Sequence, residues 1–358
     1  MRLGLQLGYW GAAPPENAGE LVLAAERAGF EAVFAAESWG SDAFSPLAWW
    51  GSSTRRVRLG TSVAQLSARA PTACAMHALT LDHLSGGRAI LGLGVSGPQV
   101  VEGWYGGPFA QPLARTREYV DIVRQVLARE GPVHSAGPHY PLPYSGPGST
   151  GLGRTLRPIT HPLRADLPIW LGAEGPKNVA LAGEIADGWL AIYYSPRVGP
   201  SYAEWLAEGM ARPGARRARA EFTVAASAIV VVTEDPEPEV LMAKWVLAFY
   251  LGGMGAPTRN FHADVFSRMG YREVVAEVGA RFREGRREDA VAAVPDELVA
   301  ETSIIGTASQ VREGVARWQA SGVDMLLVGC RDVEQLNTLA ATLSQALPQT
   351  ETRSIFSR

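Results

Sequence analysis

Three short segments of this chain carry residue types able to hold or transform a ligand. The first, Gly92-Leu93-Gly94-Val95-Ser96-Gly97-Pro98-Gln99, leaves an apolar run, and Gly92, Gly94 and Gly97 satisfy G-x-G-x-x-G. In a dinucleotide fold that fingerprint closes the first strand, opens a helix at once, and is answered by an acidic residue about 20 residues on. Here strand and helix units precede it, and Pro98 with a long loop follows. The pyrophosphate reading is therefore set aside in favour of another close backbone approach. The second segment, Gly172-Ala173-Glu174-Gly175-Pro176-Lys177, joins a predicted strand to a predicted helix. A helix start has unpaired N–H groups and a positive dipole end, and Lys177 adds a cation, so a phosphate is its natural occupant. Equally, Gly-Pro starts the helix and Lys177 is solvated. Arg197 is a weaker second positive contact. The third segment, Glu37-Ser38-Trp39, ends another strand with a carboxylate.

Acid–base candidates are few. Glu37, Glu102 and Glu174 each follow a strand or the glycine loop, and Glu174 beside a bound anion is unfavourable unless turned away. Asp82 and His83 sit in the last turns of a helix and read as local caps. Asp187 precedes a strand at the opposite end and reads as structural. The six histidines show no metal-ligand spacing, and no Ser/His/Asp set stands out. Cys74 and Cys330 read as buried thiols. Arg212, Arg216, Arg217 and Arg219 read as a solvated basic stretch. Tyr9, Trp10, Trp39, Trp104, Tyr105, Tyr193 and Tyr194 gather near strand ends, where they could wall a flat heterocycle. Trp49, Trp50, Trp170 and Trp189 show that tryptophan also serves packing here.

The elements that must position these residues alternate regularly. Strands are predicted at Leu3–Leu7, Ala32–Ala36, Val57–Val63, Ala89–Leu93, Pro168–Leu171, Gly188–Ile192, Phe222–Val232 and Met325–Val328, with helices between them. Several are near-continuously apolar, as in a parallel sheet covered on both faces. Eight such units favour a (β/α)₈ barrel over an open sheet, with ligands at the carboxyl ends of the strands. Two stretches break the repeat and read as insertions after strands four and seven: Gly131–Leu167, rich in Gly and Pro, and the mainly helical Gly252–Glu301. The expected domain is a single barrel over 1–347, followed by a polar tail over 348–358. Specificity is expected to lie in the two insertions.

The chain has 358 residues, 47% of them hydrophobic, and a formal charge of −3. That charge leaves no electrostatic footprint for nucleic acid. No apolar run reaches the roughly 18 residues of a membrane span, and Met1–Gly8 reads as a strand and not as a leader. A cytoplasmic protein with a small-molecule substrate is expected.

Four motifs together resemble the luciferase-like monooxygenase superfamily, and more narrowly its coenzyme F420-dependent oxidoreductases of actinobacterial type. They are Leu81–Arg88 (LDHLSGGR), Leu91–Trp104, Arg117-Glu118-Tyr119, and Ala182–Trp189 (AGEIADGW). The resemblance runs from Gly4 to about Val328. It implies a TIM barrel, commonly dimeric, that binds a deazaflavin at the strand ends, with a non-prolyl cis peptide falling on Ser62-Val63. By the same resemblance Glu37, Ser38, Ser62, Val63, Gly94, Ser96, Gly97 and Gln99 would meet the ring. Gly172, Ala173, Glu174, Gly175, Pro176, Lys177 and Ser195 would hold the ribityl phosphate, and Tyr9, Trp10, Trp39, Trp104 and Tyr193 would shape the substrate pocket.

Several family branches carry a histidine after the second strand, where this chain has Ser38. Glu102, or a histidine such as His139, is then the expected substitute acid or base. The implied reaction moves a hydride between the cofactor C5 and an alcohol, carbonyl, C=C or C=N group. An F420-reducing system would supply electrons. The rivals are an FMN-dependent monooxygenase served by a flavin reductase, and a noncatalytic barrel that only binds the cofactor.

Overall fold

A computed structural model describes residues 1–255 and 260–344. The tail over 348–358, the end of the last predicted helix and residues 256–259 of the second insertion lie outside the described residues. In chain order the elements are β1 (Arg2–Gln6), α1 (Ala18–Arg27), β2 (Ala32–Ala35), α2 (Phe44–Gly51), β3 (Arg58–Thr61), β4 (Ala64–Gln65), α3 (Pro71–Ser85), β5 (Ala89–Gly94), α4 (Pro98–Gly103) and α5 (Pro112–Ala128). There follow β6 (Ile169–Gly172), α6 (Pro176–Ile185), β7 (Gly188–Ala191), α7 (Gly199–Met210), β8 (Thr223–Val232) and α8 (Glu237–Ala248). The chain continues with α9 (Phe261–Arg268), α10 (Arg272–Arg283), α11 (Arg287–Ala292), α12 (Asp296–Thr302), β9 (Ser303–Gly306), α13 (Ala308–Ala320), β10 (Met325–Val328) and α14 (Val333–Ser344).

Eight parallel strands, β1, β2, β3, β5, β6, β7, β8 and β10, close on themselves as a TIM barrel. β10 pairs β1 with Leu3 opposite Leu326, and β8 closes the ring with Ala226 opposite Leu326. Inside the ring, Phe34 and Trp170 lie 5.7 Å apart between ring centroids and pack with Ile90, Leu190 and Leu327. A Cβ at Gly60 would stand 2.3 Å from Phe34, so glycine there makes room for the ring. This apolar layer is the floor of whatever the barrel mouth holds.

Two departures from the expected strands matter. The run Val57–Val63 is not one strand: β3 stops at Thr61, Ser62-Val63 is cis, and the short β4 resumes the pairing with Ala64 opposite Leu93. At the break Thr61 Oγ1 donates to Gly92 O (2.6 Å) and accepts from Gly92 N (2.9 Å), so a side chain replaces the backbone ladder. The strand β9, unanticipated because SIIG is too short to show a period, extends the far half of β8, pairing Ile229–Val232 outside the barrel.

Several of the motif residues turn out to brace the amino-terminal face. Gly86 adopts φ +67 at the end of α3, as the Ser-Gly-Gly sequence requires of a helix stop. Asp82 does more than cap that helix. It is buried, accepts from Ala89 N at 3.0 Å, and holds Arg164 of the first insertion at 2.7 Å. Asp187 plays the same part for β6, accepting from Ile169 N (2.8 Å) and pairing with Arg124, Arg216 and Arg217. Arg117 grips Glu184 with two bonds, and Arg212 joins them. Arg219 pairs with Asp324. The basic stretch 212–219 is thus a set of clamps, not a solvated face: carboxylates at strand starts need partners, and these arginines are the ones in reach.

The two insertions separate by face. Residues 131–167 join α5 to β6 and contribute none of the residues that line the cleft at the barrel mouth. The second insertion builds a small core around Phe266, Val278 and Leu298 that packs on Tyr193, Leu247 and Leu251. It roofs the carboxyl ends of the strands. No helix among the described residues is long and apolar enough to cross a membrane.

Candidate functional site

A cleft of about 1060 Å³ opens at the carboxyl ends of the barrel strands, beneath the second insertion. Most of its surface is apolar, supplied by residues such as Val63, Leu190, Ile229, Phe109, Phe261 and Met254. Sites of this size that bury a small molecule are concave and mainly apolar, with a few placed polar groups. Here the polar groups fall into two sets.

One set lies on the floor. Gln6 Nε2 donates to Ser227 Oγ at 2.8 Å, close to Ser62. Gln65 donates through Nε2 to the Glu37 carbonyl (3.0 Å) and through its backbone N to Glu37 Oε2 (2.7 Å). Gln65 Oε1 is then left buried without a partner among the described residues. A buried acceptor without a donor costs about 1–3 kcal/mol, and a heterocycle with an N–H would satisfy it. Glu37 itself is buried and held by Arg69 in a two-bond fork. Its carboxylate is engaged with protein and positions the floor.

The other set is cationic. α6 begins at Pro176 after the extended Gly175, and its first turn, Lys177 included, lines the cleft together with Arg268. Arg268 reaches across from α9 to the Glu174 carbonyl at 3.0 Å. A helix start with two cations favours an anion. Glu174 is indeed turned from it: Oε1 lies 2.7 Å from Nδ1 of His262.

Backbone geometry also concentrates here. Of the described non-glycine residues with positive φ, Ser96 (φ 59) and Tyr193 (φ 55) both line the cleft. Such conformations cost about 1 kcal/mol or more and persist where the surroundings hold them. The glycine pattern finds its reason in the same place. A Cβ at Gly92 would stand 1.9 Å from Thr61 O, and one at Gly94 would stand 2.4 Å from Val63 Cγ2. These glycines admit the neighbouring strand, not a pyrophosphate.

The cleft brings together Glu37, Ser38, Ser62, Val63, Gly94, Ser96, Gly97, Gln99, the whole of Gly172–Lys177, Tyr9, Trp39 and Tyr193. Several expected residues lie elsewhere. Ser195 is fully buried and donates to Glu301, two residues past Tyr193 of the cleft wall. Trp10 packs on Trp50 at 5.9 Å. Trp104, the residue after α4, is exposed and does not line the cleft. Glu102 is exposed too, facing Phe109 N. Arg197 is taken by Glu301 at 2.8 Å, and His139 sits beside Glu118 on the first insertion. Neither reaches the cleft. Sequence reasoning missed Gln6, Gln65, Ser227, His262 and Arg268. A lone polar residue inside an apolar strand, as in Leu5-Gln6-Leu7, was a readable signal. Nothing local marked the two from the insertion.

The family model for luciferase-like monooxygenase matches residues 3–325. The chain belongs to the luciferase-like monooxygenase family. Within that family it is 67% identical over 341 residues to a protein of Mycobacterium tuberculosis assigned as a coenzyme F420-dependent oxidoreductase, covering 95% of this chain and 98% of that one. It is 29% identical to the 5,10-methylenetetrahydromethanopterin reductase of Archaeoglobus fulgidus over 77% of each chain. Among solved structures, the coenzyme F420-dependent tetrahydromethanopterin reductase of Methanopyrus kandleri superposes with a TM-score of 0.79 at 24% identity, over 97% of this chain and 98% of that one. That likeness concerns the luciferase-like barrel itself.

Proposed function

We propose that this oxidoreductase binds coenzyme F420 and transfers a hydride between its C5 and a small organic substrate, an alcohol, carbonyl, C=C or C=N compound. The 67% identity over 95% of the chain to a protein assigned as F420-dependent carries the choice of cofactor. The cleft fits the group: an unpartnered Gln65 Oε1 on the floor suits a heterocyclic N–H, and the start of α6 with Lys177 and Arg268 suits a phosphate. When bound, a deazaflavin supplies a two-electron hydride centre, with carbon where a flavin has N5.

The protein's own residues do the placing. Val63, beside Gly94 and Gly172, forms a platform; Gln6, Ser62 and Gln65 orient the ring by hydrogen bonds; Lys177, Arg268 and the positive end of the α6 dipole hold the anionic end. Phe109, Phe261 and Met254 close an apolar compartment that keeps water from the reacting carbon. Reduced cofactor would come from a separate F420-reducing system.

Fluorescence titration with F420 and with FMN tests this reading, followed by oxidation of reduced F420 against a panel of ketones, enones and imines. F420 is expected to bind at least about tenfold tighter than FMN, a difference of about 1.4 kcal/mol, and at least one panel member to be reduced. Preferential FMN binding would overturn the cofactor assignment. Tight F420 binding without turnover of any member would favour a binding protein.

A further inference from the structure

Hydride transfer to a carbonyl or imine also moves a proton, and one corner of the cleft is built for it. His262 opens α9 in the second insertion. Its ring stands edge-on to Tyr193 (5.8 Å, 79°) and to Tyr250 (5.0 Å, 81°), which fixes the imidazole plane. Nδ1 lies 2.7 Å from Glu174 Oε1 but off the line of a hydrogen bond, so Nδ1 and Glu174 Oε2 are both buried without a partner among the described residues. His262 lines the cleft, and its Nε2, unlike Nδ1, is not among the buried unpartnered atoms.

The groups around this corner come from five directions. Tyr9 follows β1, Tyr193 follows β7, Tyr250 follows α8, Lys177 lies on α6, and Asp264 and Arg268 share α9 with the histidine. Burial, and then the proximity of Tyr250, Glu174 and Tyr9, pushes Tyr193 well above the ordinary phenol range; burial likewise raises Tyr250. These two phenols therefore stay protonated. Imidazole is the side chain that ordinarily changes charge between pH 5 and 8. Catalytic hydrogen bonds are often misaligned before ligand binds and tighten afterwards.

We propose that Glu174 and His262 carry the proton of the reaction, His262 through Nε2 at the substrate and Glu174 as the positioning carboxylate at Nδ1. The proposal rests on the hydride-transfer reading. In reduction the substrate carbon receives a hydride with its electron pair, and the π pair of C=O or C=N moves to the heteroatom. That atom then takes the proton from Nε2 of the imidazolium. A C–H and an O–H or N–H bond form; the C5–H bond of the reduced cofactor, the π bond and the Nε2–H bond break, leaving the cofactor oxidised by two electrons, and the neutral imidazole regains its proton from water. Oxidation of an alcohol reverses each step, with neutral Nε2 as the acceptor.

Two measurements test it. Diethyl pyrocarbonate acylates accessible neutral imidazole, and peptide mass analysis of the free enzyme is expected to find His262 modified, with protection when F420 is bound. An unmodified or unprotected His262 overturns the proposal, and this result needs no turnover. The second measurement uses the panel compound that the wild type reduces fastest. His262→Gln is expected to lose about 10²- to 10⁴-fold in kcat, the usual range for a general acid. Its F420 affinity stays within about threefold, and the limb of the pH–rate profile that depends on one ionisation disappears. Glu174→Gln lowers kcat with KM little changed. A retained limb in a His262→Gln enzyme that binds F420 normally overturns the proposal. Failure of the wild type to bind F420, or to reduce any panel member, instead removes the underlying reading, and the two outcomes are separate.

Discussion

Two glycines two residues apart on β5 make opposite demands, and alanine at each separates stability from binding. At Gly92 a Cβ meets Thr61 O at 1.9 Å and Thr61 C at 3.0 Å, both backbone atoms. Neither can rotate away, so β3 and β5 must part. Overpacking of this kind costs about 1–3 kcal/mol, and losing the two Thr61 Oγ1 bonds to Gly92 adds about 1 kcal/mol each. Gly92→Ala is therefore expected to destabilise by about 3–5 kcal/mol. With about 2.1 cal/mol/K per residue over 358 residues, the melting temperature falls by about 4–7 °C.

At Gly94 the obstacle is different. The new Cβ would lie 2.4 Å from Val63 Cγ2, and ordinary contact begins near 3.4 Å, so that methyl must withdraw by about 1 Å. Val63 is β-branched and stiff, and its other methyl faces Gly172, where an added Cβ would stand 3.1 Å away. The open side is the cleft. The same 1–3 kcal/mol of strain then appears as weaker ligand binding, about 5- to 150-fold for F420. Thermal melting and F420 fluorescence titration read the two effects. Gly103→Ala, with nothing within 4 Å, is the control and melts within about 1 °C of the wild type. A Gly94→Ala protein that melts lower than Gly92→Ala yet binds F420 as tightly as the wild type would refute this division of labour.

Three further outcomes are expected. Lys177→Ala and Arg268→Ala each weaken F420 binding by about 5- to 30-fold, or about 1–2 kcal/mol for a charge at a helix start, and flatten its salt dependence; unchanged affinity at low salt places the anion elsewhere. Asp82→Ala leaves Ala89 N buried and Arg164 unpaired, so denaturant titration should show a loss of about 2–3 kcal/mol. On the amino-terminal face, hydrogen bonding from Arg217 holds the Asp166 carboxyl below its ordinary range, and hydrogen bonding from Arg117 does the same for Glu184. A depressed carboxylate stabilises the fold above its unfolded value, near pH 4, and loses that contribution as pH falls through the folded value. Melting temperature should therefore be level from pH 8 to 5 and drop below about 4, less steeply in Asp166→Asn with Glu184→Gln; parallel curves for the two proteins would exclude these pairs as the cause.

Most of the barrel was legible because its signals are local. Alternating apolar runs and helix stops such as Ser85-Gly86-Gly87 depend only on neighbours in the chain, and eight units of that kind leave few topologies. The strand-end loops followed from the same count, which is why Gly172–Lys177 and Gly94–Gln99 meet in one cleft. Finer orientation did not follow. Trp104 and Glu102 come after the glycine loop but are exposed away from the cleft lining, and Ser195, two residues past the wall residue Tyr193, turns into a bond with Glu301. Side-chain direction at the end of a strand depends on turns whose geometry residue types do not encode.

By itself the sequence determined the eightfold repeat, the apolar strands, and which loops end at the carboxyl face, since each rests on periodicity within a few residues. Only the tertiary structure decided that residues 131–167 connect at the far face while the second insertion roofs the mouth. It alone set His262 against Glu174, 88 positions away in the chain, and Arg268 beside the start of α6. Those contacts arise from how an insertion folds back across the barrel. They are fixed by packing between segments distant in sequence, and no local pattern carries that information.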